Sequence, residues 1–202
     1  MADRRPSRLA RRVILTTTFA LGIGILLVAG PYWPDEGSVH EGIELVGVGL
    51  IAIAVLGRAW CMLSSGNNRR VEMAEDGPYS VVRHPMYVFA IVGAFGIGAQ
   101  AGAITAALAA GLVTWTILAM MSEMDDENMV ELFGARYFNY MMRVPAFTPD
   151  FSLYRRSSLT FGPRQLAAIA MDAAIFFVAI PVVEMFDRLH DNGALPTLIW
   201  LP

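Results

Sequence analysis

A cluster of polar residues stands directly before a long apolar stretch of this chain. The cluster reads GPYSVVRHPMY and occupies residues 77–87. Its glycine–proline pair is typical of a turn, and Pro85 suits the first turn of a helix that runs onward from about residue 86. Arg83, His84 and Tyr87 would then surround a helix N-terminus, where free N–H groups and the positive dipole end favour an anion. As residue types alone, the same side chains also suit a juxtamembrane anchor at the lipid headgroups.

A second polar segment, SEMDDENMVELFGARYFNYMMRVPAFTPDF, occupies residues 122–151. Glu127 lies four residues after one glutamate and four before another, so the three share one helix face, and Asp126 lies close to it. Gly134 is expected to end or kink this helix. Two tyrosines and an arginine follow at helical spacing before prolines end regular structure. A charge run of this kind is also typical of a solvated acidic helix.

The composition indicates what kind of protein must position these residues. Hydrophobic residues make up 55% of the chain, charged residues 16%, and the mean hydropathy is +0.50. These values are unlike those of a soluble domain, so we expect an all-α integral membrane protein with one membrane domain over residues 1–202. No lysine occurs among the 15 basic residues, which excludes Schiff-base chemistry and a lysine general base. The single cysteine excludes an internal disulfide.

About five membrane-spanning helices account for the apolar stretches, since each needs about 20 residues to cross a hydrocarbon core of about 30 Å. The predicted spans are residues 13–30, residues 43–63, two within residues 86–121, and residues 166–186. The stretch 86–121 is too long for one span and short for two full ones, so we expect a tight helical hairpin there. The final residues, LPTLIWLP, are too few to span and are expected in the interface.

The arginines predict the orientation of these spans. With five spans, fourteen of the 15 arginines fall on the N-terminal side and only Arg188 falls on the other, which is a strong positive-inside bias. We therefore expect the N-terminus, residues 64–87 and residues 122–164 to lie in the cytoplasm. The membrane is expected to be the inner membrane of a bacterium.

Several ionisable residues lie inside or close to the predicted spans. Arg58 is near the end of the second span, from which its side chain can snorkel to the interface. Asp172 and Glu184 are in the fifth, where acids usually face a bundle interior, a cavity or a partner, so a homo-oligomer formed through this helix is one interpretation. His40 and His190 are expected at the surface and no metal site is expected, because no other ligands stand at metal-binding spacing.

Both polar segments resemble signatures of one family. Eight positions of residues 77–87 match the pattern G-P-Y-x-x-V-R-H-P-x-Y of the isoprenylcysteine carboxyl methyltransferase and phospholipid methyltransferase superfamily. The second segment is similar to that family's second signature, an acidic pair followed by F-G-x-x-Y-x-x-Y and a short approach to proline. The resemblance implies a catalytic core over residues 77–149. The additional C-terminal helix and tail, predicted over residues 160–202, carry no motif of the family.

The resemblance also implies a cofactor and a type of acceptor. In this family the two signatures build a cytoplasmic pocket for S-adenosylmethionine, which a lipid-soluble acceptor enters from the bilayer. The acceptor group would be a carboxylate, a phosphate or a phospholipid headgroup, and the expected partners are membrane lipids and no nucleic acid. The cofactor's ammonium and carboxylate call for an acid and a cation, and its sulfonium favours aromatic faces. The residues expected to bind it are Tyr79, Arg83, His84, Tyr87, Asp126, Glu127, Tyr137 and Tyr140.

The chain departs from the family pattern at one position that concerns the acceptor. Prenylcysteine methyltransferases carry an arginine shortly before the acidic run, where this chain has Met121. The acidic partner of that arginine corresponds to Asp125. Arg143 and Arg83 are the remaining candidates to hold an acceptor anion, and Asp125 and Arg143 are the predicted catalytic residues.

Two other functions stay open at this point. Membrane sterol reductases share a related helical core, so a reductase with a nicotinamide cofactor is an alternative. The departure at Met121 is also compatible with a noncatalytic binding protein on the same fold. Binding of S-adenosylmethionine or of NADPH would discriminate among these alternatives.

Overall fold

The computed structural model describes residues 29–31, 37–65, 73–159, 161–194 and 199–201. Helices dominate this part of the chain. The elements in chain order are β1 (Ala29–Pro31), α1 (Ser38–Ser64), α2 (Pro78–Val81), α3 (Pro85–Ala99), α4 (Ile104–Phe133), α5 (Ala135–Arg143), a 3₁₀ turn (Phe151–Leu153), α6 (Pro163–Asp191) and β2 (Ile199–Leu201).

The apolar helices confirm the predicted class of an all-α integral membrane protein. Of the described helices, α1, α4 and α6 are long and apolar enough to cross a membrane, and α3 is a shorter apolar helix. Helices α3 and α4, joined by residues 100–103, form the predicted hairpin. Helix α4 is longer than expected, because it continues from the apolar stretch through the acidic run to Phe133.

The prediction of a first span over residues 13–30 falls mostly outside the described residues. Its last two positions are wrong as helix, because Ala29 and Gly30 lie in β1, which pairs in parallel with β2. A glycine followed by Pro31 disfavours a helix interior and is tolerated in a short strand at an edge. The tail residues expected in the interface supply the other strand, at Ile199–Leu201.

Helix α3 packs against both α1 and α4, and α6 lies against α1 and α3. The close approach of α1 and α3 depends on glycine, because a Cβ at Gly96 would lie 2.8 Å from the carbonyl oxygen of Gly47. Ile51, Ala54 and Phe176 form the buried contact among α1, α3 and α6. Helix α3 is thereby enclosed by helices on several sides, and the first polar segment precedes its first residue.

One predicted surface residue is buried. His40 on α1 is 5% exposed and packs against Gly102 in the turn between α3 and α4. Its Nε2 lies 3.3 Å from Glu44 Oε1. The prediction of a surface histidine was wrong because the hairpin turn, which is distant in sequence, folds over this end of α1.

Candidate functional site

The first polar segment forms a rigid corner before α3. Gly77 has φ +64°, a conformation that residues with a side chain rarely adopt, and its N–H donates to the carbonyl oxygen of Arg155 at 2.7 Å. One helical turn, α2, follows it. The chain then turns at His84, and Pro85 occupies the first position of α3 as predicted.

Backbone hydrogen bonds tie this corner to the end of the second polar segment. Arg83 N–H donates to the carbonyl oxygen of Pro145 at 2.8 Å, and His84 N–H donates to that of Ala146 at 3.2 Å. Asp150 N–H returns a bond to the carbonyl oxygen of Val81 at 3.0 Å. The prolines that end regular structure in the second polar segment therefore place its extended backbone alongside the first polar segment.

The second segment folds back on itself at Gly134. The residue has φ +57° and ψ −133°, which is a region of backbone space almost restricted to glycine, and it separates α4 from α5. The predicted break at this position is confirmed. Because the chain folds back there, Tyr137 and Tyr140 on α5 are buried against apolar residues near the end of α4, and Tyr137 reaches Asp126.

Asp126 is the centre of the assembled site. His84 Nε2 lies 3.0 Å from its Oδ1, and Arg83 Nη2 lies 3.2 Å from its Oδ2. The Tyr137 hydroxyl donates to Oδ1 at 2.5 Å. The side chains of Asp126 and His84 are each 10% exposed and that of Arg83 is 12% exposed, so water screens these charges little.

The contact with Asp126 indicates which nitrogen of the His84 ring carries the proton. An ionised carboxylate only accepts hydrogen bonds, so the assignment puts the proton of a neutral ring on Nε2. Nδ1 is then the acceptor nitrogen. The His84 ring stacks on Tyr87, with centroids 5.5 Å apart, and on Phe147, at 6.0 Å. The two signatures thus contribute one continuous aromatic surface beside the carboxylate.

The two buried tyrosines of α5 stay protonated. Burial is the main cause that raises the pKa of the Tyr137 phenol, and its hydrogen bond to Asp126 raises it further. Burial also raises the pKa of the Tyr140 phenol, against the opposing effect of the Arg83 charge. Tyr140 donates its hydroxyl hydrogen to the backbone oxygen of Tyr79 at 2.6 Å. Both phenols are therefore hydrogen-bond donors that tie α5 to the rest of the site.

Asp125 and Asp126 are neighbours in sequence with different partners. The hydroxyl of Tyr87 donates to Asp125 Oδ2. Met121, one helical turn earlier, is 6% exposed and carries no charge. In the absence of an arginine at that position, the structure gives Asp125 a tyrosine as its partner.

Two predicted site residues lie at the exposed surface, outside the hydrogen-bond network of Asp126. Glu127 is exposed on α4. Arg143 is 48% exposed, and its Nη2 lies 3.3 Å from Glu75 Oε2. Glu75 also pairs with Arg136, at 2.9 Å. Glu75 is not predictable from the sequence, since it stands before the signature and its arginine partners are more than sixty residues away.

The residues suit a zwitterionic, cationic cofactor. Nε of Arg83 is buried and has no hydrogen-bond partner among the described residues, so this guanidinium retains a donor for a carboxylate. His84, Tyr87 and Phe147 present aromatic rings to a sulfonium, and Glu127 has an exposed carboxylate for an ammonium. No group of metal-ligating side chains occurs among the residues that the structure describes.

Known proteins resemble this chain in the same region. Residues 43–136 match the family model described as phospholipid methyltransferase. The protein-S-isoprenylcysteine O-methyltransferase of Schizosaccharomyces pombe is 30% identical over 88 residues, which cover 44% of this chain and 37% of that protein. This chain belongs to the isoprenylcysteine carboxyl methyltransferase and phospholipid methyltransferase superfamily of membrane proteins, as its two signatures predicted.

Two bacterial relatives match over nearly the whole chain. The cobalt-zinc-cadmium resistance protein CzcN of Cupriavidus metallidurans is 32% identical over 193 residues, which cover 94% of this chain and 86% of that protein. The nickel-cobalt-cadmium resistance protein NccN of Alcaligenes xylosoxydans xylosoxydans is 30% identical over 183 residues, 88% of this chain and 84% of that protein. No solved structure matches the chain significantly.

Proposed function

We propose that this protein transfers a methyl group from S-adenosylmethionine to a lipid-soluble acceptor at the cytoplasmic face of the membrane. The observation that carries the proposal is the convergence of both signatures on Asp126. Arg83 and His84 come from the first signature, Asp126 and Tyr137 from the second, and they meet in one buried network. Membership of a methyltransferase superfamily supports the same activity.

Each residue has a role that follows from its surroundings. Asp126 orients Arg83 and His84, so that the remaining donor of Arg83 is available to the carboxylate of the cofactor. Glu127 would hold its ammonium, and the His84 and Tyr87 rings would line the sulfonium. When bound, the cofactor supplies an electrophilic methyl group.

The acceptor decides which further residues take part. A carboxylate or phosphate is already nucleophilic, so the protein must only hold it in line with the methyl group. Arg143 is the cation proposed to grip such an anion. An amine must lose a proton, and His84 Nδ1, the acceptor nitrogen in the assigned ring, is the base proposed for that case.

Ligand binding to the purified full-length protein tests this proposal. Calorimetry with S-adenosylmethionine should give saturable binding, and NADPH should give none. Incubation with methyl-labelled S-adenosylmethionine and a bacterial lipid extract should move label into the lipid fraction. Binding of NADPH without S-adenosylmethionine would instead support the reductase, and binding of S-adenosylmethionine without transfer to any extract would support a noncatalytic binding protein.

The extended match to metal-resistance proteins favours a second, physiological proposal. We propose that this methyl transfer contributes to resistance against divalent transition metals, because the similarity to both named relatives extends far beyond the signature region. Deletion of the gene should lower the cadmium, cobalt or zinc concentration that stops growth. A plasmid copy should restore it, and a copy carrying Asp126→Asn should not. Full restoration of metal resistance by the Asp126→Asn copy would show that resistance does not depend on this site.

A further inference from the structure

An ion pair between two of the long apolar helices joins α6 to the rest of the bundle. Arg58 on α1 and Asp172 on α6 are 114 residues apart, and Nε of the arginine donates to Oδ2 at 2.6 Å. A second donor, Nη2, binds the other carboxylate oxygen, so the contact is bidentate. The two side chains are 16% and 15% exposed. The Arg58 side chain, expected to reach toward the interface, binds within the bundle, and Asp172 has a partner within its own chain.

The arginine has a third contact, and this one reaches the site. Its Nη1 donates to the backbone carbonyl oxygen of Met86 at 3.0 Å. Met86 lies in the first turn of α3, two residues after His84 and one before Tyr87. The guanidinium therefore bridges α6 to the backbone that carries two of the predicted cofactor-binding rings.

Packing around the guanidinium fixes its orientation. Its central carbon lies 5.8 Å from the centre of the Phe176 ring, which is one turn along α6 from Asp172. Phe176 fits against α3 only because Gly93 has no side chain, since a Cβ there would lie 2.2 Å from the ring. The Asp172 carboxylate binds Nε and Nη2, and the Phe176 ring covers one face of the guanidinium. These contacts fix the direction in which Nη1 points.

We propose that Arg58 and Asp172 act as a positioning pair, through which α6 sets the geometry of the first turn of α3. This inference rests on the proposed function, because the geometry that it sets is that of the cofactor site. Asp172 lies outside residues 43–136, which match the family model. Helix α6 is thereby an element of the site as well as a membrane anchor.

Backbone hydrogen exchange tests the positioning directly and needs no cofactor. In Asp172→Asn the arginine loses its counterion and its fixed orientation, so the amides of Tyr87 and Val88 should exchange roughly tenfold faster. Both amides donate to the carbonyl oxygen of His84 in the present structure. The matched control is Glu184→Gln on the same helix, which removes an exposed pair with Arg188 and should leave this exchange unchanged. Unchanged exchange in Asp172→Asn would overturn the inference.

A charge exchange separates positioning from simple stabilisation. The double variant Arg58→Asp, Asp172→Arg restores an ion pair between α1 and α6, but aspartate at position 58 has no donor for the Met86 carbonyl. Its melting temperature should recover relative to each single variant, while its affinity for S-adenosylmethionine stays roughly tenfold below that of the wild type. Arg58→Lys keeps the charge without the fork and should bind with intermediate affinity. Wild-type affinity in the exchanged variant would contradict the positioning role.

The two proposals fail in different ways. If the wild-type protein does not bind S-adenosylmethionine, the proposed function is wrong, and the exchange experiment still decides whether the pair orders the start of α3. If the wild type binds and Asp172→Asn binds equally well with unchanged exchange, the positioning role alone is wrong.

Discussion

Asp126 shows how one carboxylate can assemble a site from distant segments. It accepts from His84, which is 42 residues before it, and from Tyr137, which is 11 residues after it, and it pairs with Arg83, the neighbour of that histidine. A buried arginine is costly without a counterion, and a buried carboxylate is costly without donors, so each group requires the others. The neighbouring acids are then left for other tasks, Asp125 with Tyr87 and Glu127 facing outward.

Glu127→Gln should weaken S-adenosylmethionine binding about tenfold to hundredfold, because it removes one charge-assisted hydrogen bond worth about 1.5 to 3 kcal/mol. The protein should stay folded, since the side chain is exposed. Calorimetry measures the binding, and the melting temperature serves as the check on folding. The matched control is Glu123→Gln, one helical turn earlier and also exposed. Equal affinities in wild type and Glu127→Gln would remove this residue from the site.

Met121 leads to a prediction about the acceptor. Without an arginine at that position, a farnesylcysteine analogue should be a poor substrate, and a different amphiphile in a bacterial lipid extract should be methylated. If Arg143 grips the acceptor anion, Arg143→Ala should lower that transfer, measured as label incorporated per minute. Arg136→Ala is the control, because this residue shares the Glu75 partner and is more exposed, at 65% against 48%. Rapid methylation of the farnesylcysteine analogue, with no decrease in Arg143→Ala, would contradict both the prediction about the acceptor and the role of Arg143.

At the scale of elements, Gly134 separates two helices, α4 and α5, which have different roles. Helix α4 carries the acids from the apolar stretch into the polar segment, and α5 returns Tyr137 to Asp126 and Tyr140 to the backbone of Tyr79. The reversal between them needs positive φ at one residue. Nothing lies within 4 Å of a Cβ placed there, so the cost of a side chain would come from the backbone alone.

Gly134→Ala should therefore destabilise the protein by about 1 to 3 kcal/mol, the usual cost of a residue forced into a sparsely populated backbone region. Its affinity for S-adenosylmethionine should also fall, because Tyr137 would shift away from Asp126. Thermal melting in detergent measures the first effect and calorimetry the second. Gly42→Ala is the control, since that glycine is inside α1 with equally open space and an ordinary φ, and should be neutral or stabilising. A wild-type melting temperature in Gly134→Ala would show that the turn tolerates other residues.

On the scale of the whole molecule, the polar segments meet on one end of the helical bundle. Ser157 Oγ donates to Ser64 Oγ at 3.0 Å, so the stretch after α5 returns to the end of α1. Residues of both signatures, the end of α1 and the start of α3 therefore lie together, and we expect them on one side of the membrane. The arginine distribution predicts that this side is the cytoplasm.

Cysteine labelling tests that orientation. Ser158→Cys is exposed, while the native Cys61 is buried and should stay silent. A membrane-impermeant maleimide added to intact cells should not label the variant, and labelling should appear once the membrane is permeabilised. Cys61 in the unmodified protein provides the background. Efficient labelling of intact cells would invert the topology and place the site outside the cytoplasm.

The sequence by itself determined most of the described helices and the ends of two of them. Apolar length predicted the membrane helices and the hairpin, Pro85 predicted the start of α3, and Gly134 predicted the break after α4. These features follow from local rules, because the length of a span, the fixed φ of proline and the freedom of glycine depend on a few neighbouring residues. The order of the two signatures likewise predicted the family.

Only the tertiary structure decided which side chains meet. The sequence showed Asp125, Asp126 and Glu127 in a row but not that the middle one is buried, and it placed Arg58 and Asp172 in separate spans without pairing them. It also predicted that His40 lies at the surface, although the hairpin turn covers this side chain. Such contacts depend on the rotation and packing of helices that are far apart in sequence, and a change of one residue in rotation turns a side chain by about 100°.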